Sequence, residues 1–151
     1  MKTCFASELV ITQVFGNDFM HNNKLYYAQY GIKGHNGLDV IPKDKKDLRI
    51  FNFFEGKILK IEKHATYGNR ICIWNKSTKL AEYHNHLQSF NPVLKVGQHV
   101  KSGTLLGFMG NTGKSFGPHD HIGFVETDEK GYRVNKDNGY LGWIDPLPLL
   151  I

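Results

Sequence analysis

The sequence lacks paired cysteines, long apolar runs and extended segments with helical periodicity. Its 151 residues contain only two cysteines, Cys4 and Cys72, which form no CxxC pair, so a zinc site built on thiolates is not expected. We predict two buried free thiols, with a disulfide between them as the alternative. No segment approaches the roughly 18 apolar residues of a membrane-spanning helix, so we predict no membrane span.

The first residues also lack the apolar stretch of a secretion signal. Glu8 and Gln13 interrupt the only apolar segment near the N-terminus, and a signal peptide needs an unbroken apolar region there. We therefore expect neither a Sec signal nor a membrane anchor. If the protein acts outside the cell that makes it, another route must export or release it.

The chain is basic, with a formal net charge of +5. Such a charge favours anionic partners, for example nucleic acid, a membrane surface or an anionic cell wall. The densest cluster consists of Lys43, Lys45 and Lys46, but Asp44 and Asp47 interrupt it. We interpret this cluster as a solvated loop, with a binding patch as the alternative.

Short strands separated by turns follow one another through the sequence. The predicted strands are residues 10–15, 38–41, 57–62, 70–74, 80–86 and 121–125. Residues 17–34 are expected to form a long loop, and glycines recurring through 96–107 predict tight turns between very short strands. We predict an all-β, mainly antiparallel fold: a compact sandwich or barrel-like single domain over residues 1–151, with its core from about 10 to 147.

Two short histidine motifs together offer the ligands of a metal site. The first spaces His35 and Asp39 four residues apart, and the second spaces His119 and His121 two apart. Both spacings are even, so on a strand each pair points to one face. Three nitrogen and oxygen ligands leave the fourth tetrahedral position of zinc open to water, which is the catalytic arrangement.

The residue between the two histidines of the second motif belongs to the opposite face of a strand. Asp120 then lies with the apolar Ile122 and Phe124. We predict a hydrogen-bonded carboxylate that supports the site, and no direct metal ligation by Asp120.

A third histidine pair, His84 and His86, stands on a predicted strand. Strand alternation predicts that both side chains share one face. Either could be an extra ligand, a proton-transfer group or a surface residue, and the spacing does not distinguish these roles.

The loop 107–115 has part of a phosphate-binding pattern but not all of it. Phe108 stands where that pattern needs glycine, and Gly117 and Pro118 prevent the helix that should follow. We predict no nucleotide or nucleic-acid partner. A biotinyl or lipoyl carrier, which the turns of 96–107 suggest, is not expected either, because no lysine stands in a Met-Lys-Met or Asp-Lys-Ala setting.

Taken in order, these segments resemble the lysostaphin-type zinc endopeptidases of peptidoglycan. The resemblance extends from about Ile11 to Pro146 and includes H-x-G-x-D at the first motif and G-x-T-G-x-S-x-G-x-H-x-H at the second. The matching segments are 11–16, 35–39, 55–58, 67–69, 86–87, 96–107 and 110–121.

The resemblance implies a role for each motif residue. His35, Asp39 and His121 would bind one zinc ion. His86 and His119 would be the catalytic histidines, which take a proton from water and stabilise the tetrahedral oxyanion. Tyr67, in the Y-G-N turn, would line the substrate groove or have a purely structural role.

The sequence departs from the family pattern at four positions. Asp120 replaces the usual leucine between the two histidines, and Gly123 stands near a position where an acidic residue is common. Tyr83 lies one residue early for the motif Y-x-H-L, so His84 occupies the place of the tyrosine. These departures concern packing and substrate fit, whereas all five metal-binding and catalytic positions are kept.

The resemblance implies a monomeric zinc metalloendopeptidase that cleaves stem peptides or cross-bridges of bacterial peptidoglycan. The alternative is a non-catalytic wall-binding or regulatory module on the same fold. Because the sequence shows no export signal or wall-binding module, we expect a phage or prophage lysin, or a virion-associated wall hydrolase. The sequence does not identify the bond that is cleaved.

Overall fold

Strands make up nearly all the regular structure in the computed structural model, which describes every residue from Met1 to Ile151. The strands are β1 (Leu9–Gln13), β2 (Met20–His21), β3 (Lys24–Leu25), β4 (Leu38–Pro42), β5 (Arg49–Phe51), β6 (Gly56–His64), β7 (Gly68–Asn75), β8 (Leu80–Leu87), β9 (Ser89–Phe90), β10 (His99–Val100), β11 (Leu105–Phe108), β12 (Asp120–Glu126) and β13 (Trp143–Ile144). A 3₁₀ turn covers Tyr26–Tyr30, and one short helix, α1, covers Leu147–Leu150. The predicted all-β fold is confirmed.

Eight strands form one antiparallel sheet in the order β1-β4-β12-β8-β7-β6-β10, with β13 also paired to β12. Three further strands form a second antiparallel sheet in the order β5-β11-β9. The strands β2 and β3 form a separate hairpin. Strand β12 therefore lies in the middle of the larger sheet, where β4 and β8 flank it.

The larger sheet buries side chains on both faces. On one face, here called the core face, apolar residues pack together with Ile50 and Leu106 of the second sheet. The opposite face, here called the site face, carries a smaller cluster around Trp74, Tyr83 and Trp143. Burying each large apolar side chain contributes about 1.5–3 kcal/mol. Buried residues on the core face include Leu38, Val40, Ile71, Ile73, Ile122 and Phe124.

The segment 17–34 was predicted as a loop, but it contains the β2–β3 hairpin and the 3₁₀ turn. Asn22 and Asn23 join the two strands with φ of 50° and 60°. Asparagine tolerates this left-handed region, and two such residues make the tight turn that matches the twist of a hairpin. The Asn-Asn pair between His21 and Lys24 is therefore a turn signal in the sequence.

Two other predictions concern cysteines and membrane helices. Cys4 and Cys72 are both buried free thiols, so the alternative of a disulfide between them is wrong. None of the helices has the length and apolar character that crossing a membrane requires.

Candidate metal centre

Three buried side chains point their donor atoms at one another on the site face. Asp39 Oδ1 lies 3.0 Å from His35 Nε2 and 2.9 Å from His121 Nδ1. The two imidazole nitrogens are themselves 3.0 Å apart. The structure thus brings together the two histidine motifs, which are more than 80 residues apart in the sequence.

Strand pairing explains this convergence. His121 of β12 is the direct cross-strand partner of Asp39 of β4, and paired residues of antiparallel strands project to the same face. His35 precedes β4, and its Nδ1–H donates to the Val14 carbonyl at 3.0 Å. That hydrogen bond fixes the tautomer and leaves the Nε2 lone pair directed at Asp39.

A glycine allows the His121 ring to occupy its place. A Cβ atom on Gly37 would lie 2.6 Å from His121 Nε2 and 2.4 Å from the Ile122 carbonyl oxygen. Neither contact is sterically possible without movement. The glycine of the H-x-G-x-D motif is therefore required by the packing of the distant His121, not by its own backbone conformation.

Two more imidazoles, those of His86 and His119, lie beside this group with their rings 4.9 Å apart. The Nδ1–H of His119 donates to the Gly117 carbonyl at 2.7 Å, and that of His86 donates to the Thr112 carbonyl at 2.7 Å. Both histidines therefore keep a lone pair on Nε2. The Nε2 of His119 is 3.4 Å from Asp39 Oδ1.

The sequence prediction that His84 and His86 share a face is wrong. His84 lies on the core face, whereas His86 lies with His119 on the site face. The cause is the backbone of His86, whose φ of 62° is in the left-handed region. The pairing of β7 with β8 also shifts register beside it, and such an irregularity re-aims a side chain.

Burial and charge set the protonation of the cluster. Burial alone would raise the pKa of the Asp39 carboxyl, but the three surrounding histidines, His119, His121 and His35, outweigh it and hold that pKa well below its usual range. Burial, together with the nearby His121, lowers the pKa of His86 to about 4. Burial also lowers the pKa of His121. For His119, burial is outweighed by the Asp39 carboxylate, which raises the pKa.

These residues fit a bound metal ion. His35, Asp39 and His121 each offer one ligand atom, and these atoms lie within 4.8 Å of one another. With ligand distances of about 2.0–2.2 Å, the ligands of tetrahedral zinc lie roughly 3.3 Å apart, close to the separations in this group. Two imidazoles and one carboxylate also match the donor preference of zinc.

The cluster lines a groove of about 400 Å³. Tyr67 lines this groove, and its hydroxyl accepts a hydrogen bond of 2.7 Å from the Asn36 side chain. The ring of Tyr67 is 5.9 Å from that of His121. Tyr67 therefore occupies a place where it could contact a substrate as well as support His121.

On the core face, directly behind the cluster, lies a fully buried network of titratable groups. Asp120 Oδ2 is 2.7 Å from His84 Nδ1 and 3.5 Å from Cys4 Sγ. His84 Nε2 is 3.8 Å from Glu82, whose carboxylate accepts hydrogen bonds from the backbone of Phe53. Burial opposes the charged imidazole, but the two carboxylates raise the pKa of His84 to about 10.

Asp120 points away from His35, Asp39 and His121, as strand alternation predicts. Glu82 follows from the same alternation on β8, because residues 82 and 84 share a face, whereas Cys4 comes from an irregular segment with no periodic signal.

Comparison with known sequences identifies related proteins. The sequence profile of Peptidase family M23 matches residues 33–136. The chain is 32% identical over 126 residues to the peptidoglycan DD-endopeptidase ShyC of Vibrio cholerae, with 83% of this chain and 28% of that protein aligned. It is 33% identical over 102 residues to the glycyl-glycine endopeptidase ALE-1 of Staphylococcus capitis, with 64% of this chain and 27% of that protein aligned. The chain thus spans about a quarter of the length of these relatives.

A solved structure has the same fold. The catalytic domain of the antimicrobial peptidase lysostaphin from Staphylococcus simulans superimposes with a TM-score of 0.68 at 22% sequence identity. The alignment covers 93% of this chain and 91% of that domain. The fold of the present chain therefore extends over nearly the whole of that catalytic domain.

Proposed function

This chain belongs to peptidase family M23, and from that premise we propose that it is a zinc-dependent endopeptidase acting on bacterial peptidoglycan. The bonds cleaved would be peptide bonds in the stem peptides or cross-bridges. ShyC is named as a peptidoglycan DD-endopeptidase, and ALE-1 is named as a glycyl-glycine endopeptidase. The observation that carries the proposal is the convergence of His35, Asp39 and His121 beside two further imidazoles in one groove.

His35 Nε2, Asp39 Oδ1 and His121 Nδ1 would hold the zinc ion. The chemistry that zinc supplies when bound is Lewis acidity, which polarises a carbonyl and lowers the pKa of water toward about 7. Val14 supports this set by fixing the tautomer of His35. Loss of such a supporting contact typically weakens metal binding by about 10–100-fold.

His86 and His119 would move protons and stabilise charge at the scissile bond. Each ring is fixed by a hydrogen bond from Nδ1 to a backbone carbonyl, so each presents Nε2 to the groove. One Nε2 can accept a proton from the attacking water, and the other, once protonated, can donate to the oxyanion or to the leaving amine. Tyr67 is proposed as a further substrate contact.

The test measures zinc content and peptidoglycan cleavage together. We expect about one zinc per chain in the wild type and in His119→Ala, and none in His35→Ala. Cleavage of purified peptidoglycan, followed by mass spectrometry of the fragments, should be lost in both variants. For His119→Ala the expected loss is about 10²–10⁴-fold, the usual contribution of general acid–base catalysis.

The exposed His99 on β10 provides a matched control. His99→Ala removes an imidazole outside the groove and should change neither zinc content nor rate. Full activity of His119→Ala would overturn the proposed mechanism. Zinc-free wild-type protein that binds peptidoglycan without cleaving it would favour the alternative, a wall-binding or regulatory module.

The setting of a phage lysin or virion-associated hydrolase, acting as a monomer, remains part of the proposal. Added protein that lyses intact bacteria would support action from outside the cell. Lysis only after production inside the host would instead support release from within, and light scattering of the purified chain would give its oligomeric state.

A further inference from the structure

The groove contains one cation that no protein carboxylate neutralises. Among the residues that line the groove, Asp39 and Lys114 are the only Asp, Glu, Lys or Arg residues. Asp39 is surrounded by histidine nitrogens. Lys114 is exposed, and it takes part in none of the salt bridges of the structure. Its ammonium is therefore available to a ligand.

Lys114 is held close to the catalytic histidines. Its backbone N–H donates to the Thr66 carbonyl at 2.8 Å. The hydroxyl of the next residue, Ser115, is 3.3 Å from His119 Nδ1. Because the two residues are neighbours, the Lys114 side chain can reach a substrate residue that is only one or two positions from the scissile bond, which the proposed function places beside His119.

The surroundings of the ammonium are aromatic. Lys114 Nζ lies 5.9 Å from the centre of the Tyr30 ring. Further along the same wall, Tyr26 stacks on Phe19 with centroids 4.7 Å apart and lies 5.5 Å from Phe116. Phe116 is 73% exposed. Tyr30 also contacts Tyr26 through the two hydroxyls, 3.2 Å apart.

This aromatic wall joins two separate segments of the chain. Phe19, Tyr26 and Tyr30 come from the hairpin region and the 3₁₀ turn, whereas Phe116 comes from the loop that leads to His119. An aromatic wall offers apolar contact but no opposite charge. A carboxylate near Lys114 would thus meet an unshared cation in partly apolar surroundings, where ionic hydrogen bonds are stronger than in bulk water.

We propose that Lys114 is a specificity-determining residue that binds a free carboxylate on a substrate residue flanking the scissile bond. The aromatic wall would cover the apolar part of that residue. This inference rests on the proposed function, because it assigns the carboxylate to the peptide that is cleaved. The preferred substrates would be anionic peptides, rather than peptides in which the same carboxylate is amidated.

The test uses two cell-wall peptide fragments that differ in one group. One fragment has a free carboxylate next to the cross-link, and the other has the same carboxylate as a primary amide. We expect Lys114→Met to lower kcat/KM on the free-carboxylate fragment by about tenfold, mainly through KM, since a hydrogen bond to a charged group is worth about that factor. Its kcat/KM on the amide should be unchanged, and Lys114→Arg should restore most of the loss.

Lys136→Met is the control for net charge, because Lys136 is exposed and lies outside the groove lining. It should affect neither fragment. Equal effects of Lys114→Met on both fragments, or no effect, would overturn the role of Lys114. Cleavage of either fragment by the wild type would still support the proposed function. Failure of the wild type to cleave both would instead contradict the proposed function.

Binding provides a readout that does not depend on cleavage. With His119→Ala as the background, calorimetry should give a preference for the free-carboxylate fragment of about tenfold, and the added Lys114→Met should abolish that preference. Equal affinities for the two fragments in the His119→Ala background would overturn the role of Lys114 even if no variant cleaves peptide.

Discussion

At the scale of single residues, the site depends on a residue that has no side chain. Gly37 has an ordinary backbone conformation, yet the space where its Cβ would stand is filled by the His121 ring and the Ile122 carbonyl. Protein interiors tolerate little overlap, and overpacking typically costs 1–3 kcal/mol. The conflict would fall directly on a proposed metal ligand.

We therefore expect Gly37→Ala to weaken zinc binding. The added methyl must displace the His121 ring, and a misplaced ligand should reduce zinc affinity by about tenfold or more. Competition with a chromophoric chelator measures this affinity. Gly117→Ala is the control, since a Cβ there meets no atom within 4 Å; equal zinc affinities of the two variants would contradict the packing argument.

A second residue-scale prediction concerns the buried His84. Its pKa is raised to about 10 in the folded protein, because Asp120 and Glu82 outweigh the effect of burial, whereas an unfolded histidine has a pKa of about 6.5. A raised folded pKa means that the charged imidazole contributes its full stabilisation below pH 6.5 or so. The contribution is then lost as the pH rises through about 10.

Urea unfolding of metal-free protein tests this sign. The stability difference between wild type and His84→Gln should be largest near pH 6 and should shrink steadily toward pH 10. A difference that grows or stays constant over this range would mean that His84 is neutral in the folded protein.

At the scale of elements, β12 has a different chemistry on each of its two faces. Alternation correctly separates His121 from Asp120, because the strand is regular and pairs on both sides. The same rule fails on β8 at His86, where a left-handed residue and a register shift interrupt the alternation. Residue spacing encodes a regular strand, but no local pattern marks a histidine such as His86 that takes positive φ.

The network between β8 and β12 should show strong coupling. Removing one partner of a buried ion pair leaves an uncompensated charge and typically costs about 3–5 kcal/mol. We expect Asp120→Leu to lower the free energy of unfolding by this amount. The double variant with His84→Phe, which keeps a ring stacked on Phe53, should be more stable than Asp120→Leu alone.

A double-mutant cycle of urea unfolding measures this coupling. Contacting residues in one network show interaction energies of about 0.5–3 kcal/mol. Additive losses in the double variant would show that Asp120 and His84 act independently, despite the 2.7 Å between their side-chain atoms.

At the scale of the whole molecule, the sequence predicts the scaffold better than the groove. Ordered motifs and strand periodicity predict the all-β fold, and they also predict that the two histidine motifs meet in one site. The groove wall is different, since Phe19 and Phe116 come from segments almost 100 residues apart, where loops obey no period. Such contacts depend on the tertiary path of two loops, which neither composition nor spacing specifies.

The same long-range construction links metal binding to global stability. His35, Asp39 and His121 come from segments that only the folded chain brings together, so the unfolded chain should bind zinc weakly. A ligand that binds only the folded state at 100 times its Kd stabilises it by about 2.7 kcal/mol. For a chain of this size, that corresponds to a rise in Tm of roughly 5–10 °C.

Thermal unfolding with and without a chelator checks this expectation. Zinc should raise the Tm of the wild type and of His119→Ala, which keeps all three proposed ligands, but not that of His35→Ala. A rise of equal size in His35→Ala would place the binding site elsewhere in the molecule. Because zinc should stabilise His119→Ala although this variant is inactive, the experiment separates metal binding from catalysis.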